Sequence, residues 1–360
     1  MKEKTLLRID RDRIAKQLAS SVHAETVSPE TSALSRKSKT RLKEWSPFPS
    51  ETAPRDWSGN HTGLTCIQSL TCLEGPVSKV VSDGDSCLCT CGDDGNIFKV
   101  TRSSHDRVGS HEHCFASAAA WHRTSGRLVT AGGDGQIKVW NTNDQATSGG
   151  QLLPVNHRSC VWSLNTAGDY LVTGSMDHTA KLVDLNVGKC RHTFRSHIDS
   201  VNICVFGGPA QPFGIISGSA DKSMSLWDIR TANCVSTSLN HLSAINDIAV
   251  SCSTLMASCD ASGIVLISDL RKSISVTCEK FDVTKSGPAN TLCWLTEATL
   301  LVASRNGFLR VLTLSASTSE ERETVIHSST GPESEILSLC RFGPNAVVSS
   351  DNSGNILLWS

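Results

Sequence analysis

No two cysteines stand three residues apart anywhere in this 360-residue chain, although it holds 15 of them. The missing CxxC spacing removes the usual zinc-ribbon and thioredoxin-like readings, and the odd count argues against a fully paired disulfide framework. Most of the cysteines lie inside apolar runs, as in SCLCTC at 86–91, and read as small buried hydrophobes. Long apolar runs are also lacking. The opening MKEKTLLRIDRDRIAKQL scatters charge through its apolar positions, so it reads as neither a secretory signal nor a membrane span, and the expected address is cytoplasmic. Net charge is nearly absent as well: 34 Lys and Arg stand against 35 Asp and Glu, a balance of -1. No global field is available to gather nucleic acid or an anionic membrane, so neither is expected as a partner.

What the chain does have is repetition. SGSADKSMSLWDIR at 217–230 is echoed by TAGGDGQIKVWN at 130–141 and by TGSMDHTAKLVDL at 173–185. With Asp221 as anchor, matched positions fall at Asp94, Asp134, Asp177, Asp221, Ser262, Asn306 and Ser353, spaced by 40, 43, 44, 41, 44 and 47 residues. That period is longer than helical-hairpin repeats of about 34 and fits a four-stranded propeller blade. Each copy divides into short Val, Ile, Leu and Thr runs separated by Gly, Asp, Asn and Ser, with no helix-length periodic stretch. In the fourth copy the runs are VNICVF, FGIISGS, MSLWDI and CVSTSL, which makes four strands. The last copy stops at ILLWS (356–360), after its third run, while TCIQSLTCLEGP at 65–76 reads as a fourth strand and its linker. The N-terminal strand is therefore expected to complete the last blade, leaving no open sheet edge.

Residues 61–360 thus resemble an all-β, seven-bladed WD-repeat β-propeller, preceded by a 1–60 arm expected to be a short helix followed by a disordered linker. The resemblance implies a hydrogen-bond set in each blade: a His before the first strand, a Ser or Thr in the second, the turn Asp, and a Trp in the third. It maps in full onto His111, Thr130, Asp134 and Trp140, and onto His197, Ser217, Asp221 and Trp227. The third blade has His157, Thr173 and Asp177, with Val183 for Trp; the fifth has His241 and Ser258, with Ser262 and Ser268 at the Asp and Trp positions. The sixth copy keeps none of the set, reading Pro288, Val302, Asn306 and Leu312. A buried carboxylate is costly unless its acceptor sites are filled, and imidazole, hydroxyl and turn amides can fill them, so these residues read as structural.

Patterns that suggest chemistry dissolve into the repeat. Ser219-Ala220-Asp221-Lys222 fits SxxK but sits at the repeated turn. His111-Glu112-His113-Cys114 looks like a ligand cluster, yet the interval from His111 to Phe115 recurs from His157 to Val161, His197 to Val201 and His241 to Ile245. His111 is accordingly assigned a structural role and no metal is expected. Gly132-Gly133-Asp134-Gly135 precedes a strand, so it lacks the helix N-terminus that holds a pyrophosphate. No catalytic residue, cofactor or small-molecule substrate is expected, and the chain reads as a platform for other proteins. Its binding rim is expected among Arg158, Ser159, Met176, Asp199, Ser200, Ala220, Arg305 and Asn352.

Several longer phrases are more particular. DYLVTGSMDHTAKLVDLNVGKCRHTFRSHIDSVN (169–202), SGSADKSMSLWDIRTANC (217–234), HLSAIND (241–247) and ASCDASGIVLISDLRK (257–272) resemble the sperm-associated-antigen WD-repeat family of the axonemal central pair. That resemblance implies a scaffold on flagellar or ciliary microtubules; centriolar or basal-body propellers, a microtubule-severing-complex subunit and a ubiquitin-ligase substrate receptor are the alternatives. Only Arg305 among the residues preceding the turn anchors is basic, against the Arg cluster a phosphopeptide reader needs. The first 60 residues carry 12 basic and 8 acidic side chains. Within them Arg36, Lys37, Lys39, Arg41 and Lys43 form a basic run suited to an acidic partner such as a tubulin tail. DRDRIAKQL (10–18) can form a short helix, with Leu7, Ile14 and Leu18 on one face.

Overall fold

The computed structural model describes residues 64–360 apart from 65, 72–74, 85–86, 102–104, 113, 143–149, 315–321, 328–333 and 344–345. The proposed helix at 10–18 and the basic run at 36–43 lie outside the described residues. The chain forms seven four-stranded antiparallel sheets, the blades of a β-propeller. Among the described residues the only helical turn is a 3-10 turn at Thr284–Ser286, and no helix is long and apolar enough to cross a membrane.

Blade 4 shows how a repeat becomes a sheet. Its strands are Val201–Phe206, Gly214–Ser219, Met224–Asp228 and Cys234–Ser238, within a residue of the runs read from sequence. The turn between second and third strands needs a residue with left-handed backbone after the anchor position. Gly95, Gly135, Gly263, Gly307 and Gly354 supply it in five blades, at φ of 73° to 89°. His178 and Lys222 adopt it at 66° and 75° in the other two. Such a backbone costs a side-chain-bearing residue about 1–2 kcal/mol, which explains the preference for glycine.

The core sits between blades. Both faces of an inner strand are covered, so consecutive residues are buried toward opposite neighbours. In blade 3, Leu171 and Val183 pack toward Val129, Ala131 and Ile137 of blade 2, while Val172 and Leu182 pack toward Cys204, Ile215 and Trp227 of blade 4. Phe194 and the Trp227 ring meet at 5.1 Å between centroids. Burying each Leu, Ile or Val contributes roughly 1.5–3 kcal/mol, so the ring is held chiefly by these seven apolar seams.

A second device joins the blades. In blades 2 through 7 the pairing of first and second strands slips after the first residue, a β-bulge that frees the second residue from the pleat. In three blades that freed residue is Asn, and its amide donates to the first-strand carbonyl of the next blade. Asn202 reaches Ile245 O at 2.7 Å, Asn246 reaches Ala289 O at 2.8 Å and Asn290 reaches Ile336 O at 3.0 Å. Ser117 makes the same bond to Val161 O.

Closure follows the expected route. Strand Cys66–Thr71 pairs antiparallel with Asn355–Trp359, with Cys66 opposite Trp359 and Leu70 opposite Ile356, and completes the sheet of Ile336–Phe342, Ala346–Asp351 and Asn355–Trp359.

Candidate functional site

In a four-stranded meander, the loop entering the first strand and the turn between the second and third lie at the same end of the sheet. The ring therefore gathers seven entry loops and seven turns on one face, and the polar sets stand directly beneath it.

Blade 4 carries the full set. His197 Nδ1 donates to Asp221 Oδ2 at 3.0 Å; its Nε2, 2.7 Å from Ser217 Oγ, is left to accept from that hydroxyl. The Ser217 oxygen in turn accepts the Trp227 N–H at 2.9 Å. Asp221 further accepts the backbone N–H of Ile198 and Ser223 at 3.0 and 2.9 Å and the Ser223 hydroxyl at 2.6 Å. Burial holds His197 below its ordinary pKa despite the carboxylate beside it. Burial pushes Asp221 up, but the bonds from Ser223 and Ile198 outweigh it and leave the carboxyl below its usual range. Blade 3 repeats this with His157 at 2.9 Å from Asp177 and 2.7 Å from Thr173; Val183 takes the place of Trp, as read from sequence.

Three sets differ from their sequence reading. In blade 2, His111 Nε2 meets Thr130 Oγ1 at 2.8 Å and Trp140 Nε1 donates to the same oxygen at 2.7 Å. Asp134 stops 4.0 Å short of His111 Nδ1, which has no hydrogen-bond partner although the His111 side chain is fully buried. Burial lowers His111 to a pKa of about 4. The set is open where four matching letters implied that it was closed. Its neighbours explain why: blades 3 and 4 brace the Asp with Ser175 or Ser219 on its N–H and with the Thr179 or Ser223 hydroxyl on its carboxylate. Blade 2 has Gly132 and Gln136 at those places.

Blade 5 errs in the other direction. Its acid is Asp260, two residues before the anchor Ser262, and His241 Nδ1 donates to it at 2.9 Å while Nε2 lies 2.8 Å from Ser258 Oγ. The Ser262 hydroxyl donates to Asp260 at 2.5 Å. Blades 3 and 4 read Ser-x-Asp where blade 5 reads Asp-x-Ser, so the two side chains have exchanged places around the same turn. Blade 7 uses Asp351 likewise, accepting the N–H groups of Ser353 and Asn355 at 2.9 Å each, while Trp359 donates to Ser349 at 2.8 Å. The swap was visible as an acid two positions before each misplaced Ser.

The sequence-read rim residues fall on the gathered face. Arg158, Asp199 and Asn352 are exposed, and Ser159, Met176, Ala220 and Arg305 are half-buried. Ser200 is a correction: it is buried behind the face, its carbonyl accepting from Ser219 Oγ and Ala220 N. Arg305 is engaged by Glu335, its Nε 3.3 Å from the carboxylate. Sequence reading missed the most exposed apolar side chains of this face. Ile198, 83% exposed, and Leu242, 79% exposed, each follow the set His of neighbouring blades. Among the described residues one group offers metal-ligand atoms, His111, Cys114 and Asp134, whose donors lie within 4.8 Å of one another.

Comparison with known proteins agrees with this geometry. The family described as "WD domain, G-beta repeat" matches residues 105–141, 150–184 and 188–228. Each match runs from the fourth strand of one blade through the third strand of the next, so the sequence repeat is offset from the blade by one strand. The chain is 25% identical over 153 residues to cilia- and flagella-associated protein 52 of Chlamydomonas reinhardtii, covering 41% of this chain and 24% of that protein. It is 29% identical over 161 residues to the DDB1- and CUL4-associated factor 11 homolog of Caenorhabditis briggsae, covering 42% and 27%. It thus spans about a quarter of the length of these relatives. Among solved structures, the WD40 β-propeller domain of Doa1 superposes with a TM-score of 0.73 at 17% identity, over 83% of this chain and 97% of that one. Fold, turn and matched segments together establish a chain that carries WD40 repeats and folds as a seven-bladed WD-repeat propeller.

Proposed function

We propose that this chain is a non-enzymatic protein-interaction scaffold of the axonemal central-pair apparatus, contributing to flagellar or ciliary motility. The observation that carries the interaction role is the pair Ile198 and Leu242, large apolar side chains held almost fully in water on adjacent blades of the gathered face. Apolar groups presented by a rigid ring lose little conformational freedom on docking, which favours protein contact over small-molecule capture. The axonemal placement is supported by the phrases at 169–272 and by the likeness to cilia- and flagella-associated protein 52.

A tagged chain tests it. Signal along the whole flagellum or cilium is expected, and signal confined to basal bodies would replace the central pair with a centriolar role. Diffuse signal would overturn both. I198D/L242D, with both sites exposed and the fold kept, is expected to turn an axonemal signal diffuse.

A second reading, a substrate receptor of a ubiquitin ligase, is favoured by the likeness to the DDB1- and CUL4-associated factor 11 homolog. Arg305 is already paired with Glu335 and is poorly placed to read a phosphate. Stable copurification with a cullin-type ligase and no axonemal signal would favour this reading. The basic run Arg36, Lys37, Lys39, Arg41 and Lys43 is proposed as a tether for an acidic surface. Deleting 35–45 is expected to reduce microtubule co-sedimentation more at low salt than at high salt.

A further inference from the structure

Blade 2 holds one feature that a hydrogen-bond set does not account for: a fully buried imidazole nitrogen with nothing to bond. His111 Nδ1 points into a pocket edged by Cys114 and Asp134, and no protein atom satisfies it. Leaving such an atom unpaired is costly, and the matching nitrogen in blades 3, 4 and 5 is always bonded to a carboxylate.

We propose that His111, Cys114 and Asp134 form a binding site for a zinc-class divalent transition metal. Imidazole nitrogen, thiolate and carboxylate are the three ligand types such an ion takes. Bonds of about 2.0–2.3 Å set ligand atoms roughly 3.3–3.7 Å apart in a tetrahedron. The three donors already lie within 4.8 Å of one another, with Nδ1 and Oδ1 at 4.0 Å. Cys114 and Asp134 are both partly exposed and can turn inward to close the gap. Solvent completes the fourth position from the Asp134 side.

Three details of the chain fit the site. Gly132 stands where blades 3 and 4 have Ser175 and Ser219; a Cβ there would meet the Phe115 carbonyl first, and then press on Cys114 Sγ at 3.2 Å and His111 Nδ1 at 3.3 Å. The missing side chain opens the space in which sulfur and nitrogen face one ion. Thr130 can take the orienting bond: its hydroxyl oxygen, 2.8 Å from Nε2, is able to accept Nε2–H, and the lone pair then falls on Nδ1, the tautomer a metal requires. In blades 3, 4 and 5 the carboxylate imposes the opposite tautomer. Finally, the ligands come from two segments, the loop entering blade 2 and its turn, so the metal ties together what Asp177 and Asp221 tie by hydrogen bonds. On binding, the Cys114 thiol gives its proton to solvent and the sulfur donates an electron pair to the ion, with no change of oxidation state.

Cobalt(II) is the probe. The whole chain, reduced and metal-free, is titrated with Co2+. One equivalent is expected to give a thiolate-to-cobalt charge-transfer band with the strong visible bands of a four-coordinate ion. Zn2+ is expected to displace it and to raise the melting temperature. C114S and C114A are expected to lose the band, scored on whichever keeps the wild-type circular dichroism. D134N, whose amide oxygen can still accept the Gln136 N–H as Asp134 does at 3.0 Å, is expected to weaken binding about tenfold or more. No charge-transfer band in the wild type, or a band of equal strength in the Cys114 variants, would overturn the site; neither result touches the scaffold reading.

Discussion

Blades 4 and 6 solve the same packing problem with opposite materials. Where blade 4 places Ser217 and Trp227 in a bonded chain with His197 and Asp221, blade 6 has Val302 and Leu312, each about 1% exposed and packed with Leu292, Trp294 and Leu300. The backbone register is the same: Ser217 faces Ser225 and Val302 faces Arg310. A buried polar network and well-packed hydrocarbon of similar volume can be close in free energy, whereas a network missing one member is worse than either. The loss of all four set residues in blade 6 is therefore a substitution of one complete solution for another. Blade 1 is the mixed case, with Thr90 buried, no Trp and no His, and its hydroxyl without a partner.

The largest expected effect breaks the contrast directly. D221A strands the N–H groups of Ile198 and Ser223 and leaves His197 Nδ1 only the Ser223 hydroxyl at 3.0 Å, and should cost about 1–3 kcal/mol in urea unfolding. N306A, at the matching turn of blade 6, should stay within about 0.5 kcal/mol. Equal losses would show that the set is not what holds blade 4. Next comes the exchanged turn. D260S should lose roughly as much as D221A, and D260S/S262D should regain at least about 1 kcal/mol of it, read as a non-additive double-mutant cycle.

A pH profile comes third. His157 and His197 are held below the ordinary 6.5 by burial, so below 6.5 the unfolded chain takes up protons that the folded chain refuses, and stability falls as pH falls. Asp177 and Asp221, held below the ordinary 3.8, give stability that is present above 3.8 and lost only at lower pH. Melting temperatures between pH 6.5 and 4 should therefore decline, and H157Q/H197Q should flatten the slope. The smallest effect concerns blade 1: T90V removes an unpartnered buried hydroxyl and should be neutral or stabilising by up to about 1 kcal/mol.

The strands, their number and the closing pair were legible because a four-strand period with a left-handed turn residue leaves a mark every 40 to 47 residues. Side-chain geometry within the sets was less legible. Asp134 carries the right letter and misses its His, because Gly132 and Gln136 remove the groups that brace its equivalents. Asp260 carries the letter two places early and still reaches its His, because residues on either side of the anchor converge on the same imidazole. The Asn202, Asn246 and Asn290 bonds stayed hidden for another reason. Alternation assigns each of them to one pleated face, and the bulge that turns them toward the next blade has no signature of its own in a single strand.

The pairing of Cys66–Thr71 with Asn355–Trp359 joins the earliest and latest parts of the wheel by a ladder of hydrogen bonds inside the last blade, while each junction from one blade to the next is also crossed by covalent chain. Tension applied to the segment leading into Cys66 is thus borne by an outermost strand that can peel one rung at a time. A wheel built this way has a single weak spoke, and the direction of pull on the polypeptide before it decides whether the load is shared around the circle or concentrated at that edge.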